Sequence, residues 1–282
     1  MREECVVNYE KITKCAVFFL SFLSSLISLN FFSPQQIAEF DRDGFVIARK
    51  LAAHELCERM KALAQRHLAA EIGPLEYEAQ VKYPGAPASL DAPGGRTVRR
   101  LLQAYARDPL FREWAISAEI ANRLRQLLGP RLELSQAHHN CVMTKNPAFS
   151  SATGWHQDIR YWSFEKPELV SVWLALGPEH EDNGCLWLVP GSHRMELRRE
   201  QYDDDRFFRA DRDENRKILR AKIAGELDEG DVLFFHCRLL HAAGQNRTAL
   251  TKFAAVFTYH DTGNRPLPGT RSASLPEIPF PA

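Results

Sequence analysis

The segment Gly230-Asp231-Val232-Leu233-Phe234-Phe235-His236-Cys237-Arg238-Leu239-Leu240-His241-Ala242-Ala243-Gly244-Gln245 decides the fold of this chain. A Gly-Asp turn opens a strongly apolar strand, and a histidine followed by small residues comes after it. The same strand signal recurs at 169–176 (LVSVWLAL), at 185–189 (CLWLV, followed by the turn Pro190-Gly191-Ser192) and at 253–259, while Leu132, Leu134 and Val142 mark strand further upstream. The first third has a different period. Ser33-Pro34 reads as a helix cap with proline in the first turn, and Gly44 closes that helix before a strand at 45–48. Leu51, Leu56, Met60, Leu63, Ala64 and Leu68 recur at helical spacing. Asp108-Pro109 opens a helix through Trp114, and another from Ala118 to Leu128 stops at Gly129-Pro130. Helices first and many short strands after predict a mainly β barrel or sandwich with a helical flank. Residues 73–97, rich in Pro and Gly, read as an extended loop, and the charged run 195–217 as a solvated loop or surface helix.

The 282 residues carry 36 basic and 36 acidic side chains, so the formal net charge is zero. That balance excludes a nucleic-acid binder or a membrane docker working through a general basic field. The six cysteines, Cys5, Cys15, Cys57, Cys141, Cys185 and Cys237, are scattered without a CxxC pair, which predicts reduced thiols rather than a disulfide scaffold or cysteine zinc site. Residues 15–32 contain no charge and lie at the lower length limit for a membrane span. They also resemble a signal-peptide core, although the residues before them mix both charges and no small-x-small site follows. The expected organisation is an apolar extension over 1–30, anchor-like, signal-like or foreign to the native chain, and one domain over 31–282. A cytoplasmic location is expected, with membrane attachment if 15–32 is an anchor. Oligomeric state is not encoded in any pattern found.

Two segments carry candidate chemistry. In Gly154-Trp155-His156-Gln157-Asp158, residues two apart on a strand face the same side, so His156 and Asp158 offer an imidazole and a carboxylate to one ion. A histidine from the 230–245 segment completes a two-His, one-carboxylate set. That set leaves open positions on a six-coordinate ion, as in non-haem iron oxygenases. His236 and His241 compete for the third place; His241 is preferred, because His236 ends the apolar strand and is expected to face outward.

Five stretches together resemble the phytanoyl-CoA dioxygenase family of Fe(II)- and 2-oxoglutarate-dependent oxygenases: FDRDGFVIARK (40–50), WHQDIRYW (155–162), LVSVWLAL (169–176), DNGCLWLVPGSH (182–193) and GDVLFFHCRLLHAAGQNRT (230–248). The resemblance covers roughly 34–260. It implies a double-stranded β-helix (jelly-roll) fold and iron ligation by His156, Asp158 and His241. It further implies O₂-dependent hydroxylation of a small-molecule substrate, with 2-oxoglutarate converted to succinate and CO₂. On the same ground Trp173, Gln157, Cys141 and either Arg99 or Arg100 are expected around the cosubstrate. Two positions depart from the family. Lys252 stands where an arginine usually clamps the distal carboxylate, replacing a bidentate fork by a point charge. Ala243 stands where a hydroxyl residue is usual, and Arg247 is the expected stand-in if its loop bends. These departures feed one alternative, a catalytically silent metal- or ligand-binding protein on the same fold; a further alternative is a non-redox enzyme of cupin type that uses Zn or Mn in the same ligands. The intact Asp158 speaks against related halogenases. Trp155, Tyr161, Trp162 and Phe164 are candidates for the substrate side, and the 73–97 loop and the tail with Arg265 and Arg271 are candidate lids.

Overall fold

The computed structural model describes residues 30–81 and 83–281, so the apolar run proposed as an extension lies almost wholly outside the described residues. Helix α1 (Pro34–Asp43) begins at a reciprocal capping box. Gln36 N–H donates to Ser33 Oγ at 3.2 Å, and Ser33 N–H donates to Gln36 Oε1 at 3.0 Å. Gly44 ends the helix at φ 82°. A Cβ there would also lie 2.4 Å from His193 Nδ1, so glycine is required twice over. After β1 (Phe45–Ala48) come α2 (His54–Ala69), β2 (Leu75–Tyr77), β3 (Val98–Leu102), α3 (Ala104–Arg107), α4 (Pro109–Ala115) and α5 (Ala118–Leu128). Phe32, ahead of α1, is buried edge-on against Phe234 with ring centroids 5.0 Å apart.

The strands then follow: β4 (Leu132–Lys145), β5 (Thr153–His156), β6 (Val170–Ala175), β7 (Leu186–Leu188), β8 (Ile223–Gly225), β9 (Val232–His236), β10 (His241–Ala243), β11 (Lys252–Asp261) and β12 (Ile278–Pro279), with α6 (Asp213–Leu219) before β8. They form two antiparallel sheets. The larger runs β1-β9-β6-β11-β4-β3-β2, with β12 also paired to β4; the smaller runs β5-β10-β7-β8.

Both faces of the large sheet are buried, which is why its strands read as unbroken apolar runs. Val232 and Phe234 of β9 join Val172, Leu174, Phe257 and the helical residues Phe111, Trp114, Ile120 and Leu124 in one core. Leu233 and Phe235, one step out of phase, join Trp173, Ala175 and Val256 and meet Leu186, Leu188 and Ala243 of the small sheet in a second core. Two facing sheets enclosing an interior, flanked by helices on one outer side, form the jelly roll that the family resemblance implies and fit the barrel or sandwich that the strand pattern predicts.

Three segments do more than their sequence suggests. The 73–97 stretch contributes β2 and the fully buried Glu78. The charged 195–217 run contains α6 and buries Tyr202, Phe208 and Asn215. The tail returns as β12, and its buried Ser272 donates or accepts at 2.8 Å with His138 Nε2 while taking the Ser163 N–H at 2.8 Å. In each case a few anchoring residues hold a polar stretch whose composition reads as loop. Among the described residues, Cys57, Cys141, Cys185 and Cys237 are free buried thiols. No helix among the described residues is long and apolar enough to cross a membrane.

Candidate metal centre

His156 and His241 come together through sheet register. They are direct partners across β5 and β10, with ring centroids 4.2 Å apart. Strand β5 ends at His156, and Asp158 opens a 3-10 turn to Tyr161. The carboxylate therefore arrives from a turn rather than from a continuing strand, but on the same side. One ligand atom from each of the three residues lies within 4.8 Å of the others.

The polar geometry around them fits a cation. His156 Nδ1 donates to Gly154 O at 2.8 Å, and His241 Nδ1 donates to Leu239 O at 3.0 Å. A carbonyl only accepts, so Nδ1 carries a proton in both rings, which leaves Nε2 of the neutral imidazole as the ligating atom. Those two Nε2 atoms face Asp158 Oδ1 at 3.5 and 3.8 Å. Lone pairs aimed at a carboxylate repel unless a positive charge lies among them. Asp158 Oδ2 is buried without a hydrogen-bond partner, a second sign of a missing electrophile. Burial, then the neighbouring His156, lowers the His241 pKa to about 4, so its ring is neutral and able to ligate at pH 7. Burial alone would raise the Asp158 carboxyl, but His139, His241 and His156 more than offset it and hold it below its ordinary range.

These three side chains open onto a cavity of about 160 Å³ between the sheets. Of the residues expected around the cosubstrate, Trp173, Lys252, Arg99 and Arg100 line it. Lys252 Nζ sits 2.6 Å from Glu179 Oε2, and Trp173 Nε1 donates to Glu179 Oε1 at 2.8 Å. Arg100 Nε is 3.3 Å from Glu76 Oε1.

Three expected residues are elsewhere. Gln157 is buried but faces away from the cavity: its amide donates to Arg238 O, and its Oε1 accepts the Tyr202 hydroxyl at 2.7 Å. Gln157 follows the end of β5 with its backbone still extended, at φ −116° and ψ 128°, which turns its side chain opposite to that of His156. Cys141 is buried beside Met143, with Sγ 3.7 Å from the thioether, and the strand meets the cavity instead at Met143 and Lys145. Arg247 is exposed, 3.9 Å from Asp182, because the loop after β10 carries it outward. His236 likewise stays out of the cluster, its Nδ1 accepting the Arg238 N–H at 3.1 Å.

Other site residues were not expected. The register of β11 on β4 jumps from Phe257–Asn140 to Thr258–Ser135, leaving Gln136–His139 as a bulge. That bulge re-aims His138 and His139 into the cavity. His139 Nδ1 lies 3.8 Å from Asp158 Oδ2 and 3.2 Å from Ser171 Oγ. Burial lowers its pKa to about 4, so it is neutral at pH 7. The only sequence signal was the broken alternation in Gln136-Ala137-His138-His139. Lys145 and Glu179 gave none. Tyr161 and Trp162 line the cavity, whereas Trp155 and Phe164 pack in separate clusters beside it. Tyr83 of the 73–97 loop and Arg271 of the tail also reach its wall.

A jelly roll with two histidines and one aspartate converging at the mouth of its interior defines the class of two-His, one-carboxylate metal proteins. The family model of phytanoyl-CoA dioxygenase (PhyH) matches residues 40–254. The chain belongs to that family. It is 25% identical over 236 residues to the peroxisomal phytanoyl-CoA dioxygenase of Rattus norvegicus, covering 78% of this chain and 65% of the relative. It is 26% identical over 257 residues to an ectoine dioxygenase of Sphingopyxis alaskensis, covering 83% of this chain and 77% of the relative. The chain thus spans about two-thirds of the length of the phytanoyl-CoA dioxygenases it matches. Among solved structures, the apo form of EctD from S. alaskensis superposes with a TM-score of 0.68 at 20% identity, covering 87% and 82% of the two chains. The epimerase SnoN in complex with Fe3+, alpha-ketoglutarate and nogalamycin RO superposes at 0.66 and 22% identity, covering 88% and 94%. At these identities the superpositions establish the shared fold.

Proposed function

We propose that this protein is a non-haem Fe(II)- and 2-oxoglutarate-dependent oxygenase that hydroxylates a small-molecule substrate, with release of succinate and CO₂. The observation that carries the proposal is the convergence of two Nε2 atoms on a buried, half-orphaned carboxylate, one ligand atom from each residue within 4.8 Å of the others, an arrangement that suits a bound cation. Family membership and the relatives' printed ligands, iron and 2-oxoglutarate with EctD and SnoN, support the choice of metal and cosubstrate.

His156, Asp158 and His241 would hold the iron. Bound there, iron supplies activation of O₂ coupled to oxidative decarboxylation of the 2-oxo acid. The chain's own residues do the rest. The Gly154 and Leu239 carbonyls fix both imidazoles in the ligating tautomer, as outer partners of metal ligands generally do. Gln157, tied to Arg238 O and Tyr202, stiffens the stretch between the first two ligands. Trp173, Phe235 and Leu186 wall the cavity with apolar surface and limit water near the reacting centre. Tyr161, Trp162 and Arg271 stand on the substrate side. The proposed working unit is residues 31–282, acting in the cytoplasm.

Anaerobic reconstitution with Fe(II), followed by admission of O₂ with 2-oxoglutarate and ascorbate, tests the proposal. Succinate should form in the unaltered protein and not in His156→Ala. Tight Fe(II) binding without succinate or 2-oxoglutarate binding would favour a silent binding protein instead, a reading that rests on Glu179 already occupying Lys252.

A further inference from the structure

Lys145 and Lys252 are direct partners across β4 and β11, so their side chains leave the same face of the sheet and enter the same cavity. Both are buried, at 6% and 7% exposure. Like charges directly opposite on a strand pair repel, and burial sharpens the cost. The neighbouring acids relieve only part of it. Glu179 is spent on Lys252 at 2.6 Å and on the Trp173 indole at 2.8 Å. Glu78 lies 3.7 Å from Arg99 and receives Ser151 Oγ–H at 2.5 Å. Glu76 lies 3.3 Å from Arg100.

Lys145 has no acidic partner within salt-bridge distance among the described residues. Its ammonium donates to two main-chain carbonyls, Ser151 O at 3.0 Å and Gly244 O, which are dipoles rather than charges. One N–H remains for the cavity. Gly184, at φ 76°, makes room for the stem: a Cβ there would fall 2.9 Å from Lys145 Cδ. Two small residues, Ala243 two positions beyond His241 and Ala254 two positions beyond Lys252, line the same cavity as this ammonium and the histidine cluster. The cavity therefore holds a lysine without an acidic partner of its own, tied to Gly244 O three residues beyond His241, together with the candidate metal corner.

We propose that Lys145 is the principal anchor for the distal carboxylate of the 2-oxo acid, with Lys252 as its neighbour across the strand pair. The proposal rests on the oxygenase reading above and adds to it a residue whose sequence gives no hint of the role. Two ammonium points, one of them already shared with Glu179, take the place of a single guanidinium fork. Burial, then Arg99 and Lys252, depress the Lys145 pKa to about 7, and an incoming carboxylate would hold the ammonium charged.

Calorimetric titration of the anaerobic Fe(II) protein with 2-oxoglutarate and with 2-oxovalerate, which lacks the distal carboxylate, tests this directly. In Lys145→Met the 2-oxoglutarate affinity should fall by about thirtyfold or more, as for loss of one partner of a buried charge pair, while 2-oxovalerate binds as before. Unchanged 2-oxovalerate binding also certifies that the variant is folded, and Lys145→Gln serves if Met does not yield folded protein. Equal losses for both acids, or no loss for either, would overturn the proposal and leave Lys145 a strut between β4 and the loop after β10. An unaltered protein that binds Fe(II) but neither acid would overturn the cosubstrate reading itself.

Discussion

The two ends of the cavity are built by different rules. At the metal corner, two of three side chains come from a five-residue stretch, and each imidazole is oriented by a carbonyl two residues before it. At the lysine end nothing is local. Lys145, Glu179 and Lys252 come from three parts of the chain, and strand pairing and a buried ion pair assemble them. Local construction makes the corner recognisable from spacing. Cross-strand construction makes the far end sensitive to single replacements that alter neighbouring charges.

The largest expected effect breaks the metal corner. His241→Ala should reduce Fe(II) affinity by more than about a hundredfold, since loss of an outer partner alone costs about ten- to a hundredfold. Metal titration reads this, and the melting curve of the metal-free protein should move little by comparison.

Lys252→Met should do the reverse. It strands the Glu179 carboxylate, fully buried, and should destabilise the fold by about 3–5 kcal/mol in denaturant unfolding. Lys252→Met combined with Glu179→Leu should recover most of that loss, because a buried pair replaced by apolar groups of similar size is often neutral. Failure to recover would mean that the pair does more than neutralise itself.

A subtler contrast is with pH. The groups facing Lys145 are Arg99, Lys252, Glu78 and Glu179, and its folded pKa of about 7 lies below the ordinary 10.5 of an exposed lysine. Between those values the unfolded chain binds a proton that the folded chain does not, so this group's contribution to stability rises as pH goes up from 7. Over the same window Lys145 loses its charge, so 2-oxoglutarate affinity should fall. Opposite slopes in melting temperature and binding, both flattened in Lys145→Met, are expected. The smallest effect is that of Arg247→Ala. Its side chain is 73% exposed and outside the cavity, so 2-oxoglutarate binding should be unchanged within calorimetric error.

Gln157 and Cys141 show why a family pattern alone misplaces residues. Gln157 sits one step past the inward His156 and faces the other way, whereas Cys141 shares the inward face of β4 with Met143 and Lys145 but is packed in the core beside Trp173 rather than on the cavity wall. The β4 bulge shows the converse: His138 and His139 both reach the cavity because four residues there have no partner in β11. Broken alternation hints at an irregularity there, but where the bulge falls and which side chains it turns inward depend on the partner strand.

The sequence pattern by itself determined a mainly β barrel or sandwich with a helical flank, because unbroken apolar strands after a helical third require sheets buried on both faces, and the family resemblance narrowed that to the jelly roll. It also pointed to His156, Asp158 and His241 as the candidate set, because spacing by two and small residues after a histidine are local properties that the family resemblance reinforces. Only the tertiary structure decided that Lys252 is paired with Glu179 and that Lys145 faces it without an acid of its own. Charge balance in a buried cavity depends on which distant strands lie side by side, and register sets that, not composition.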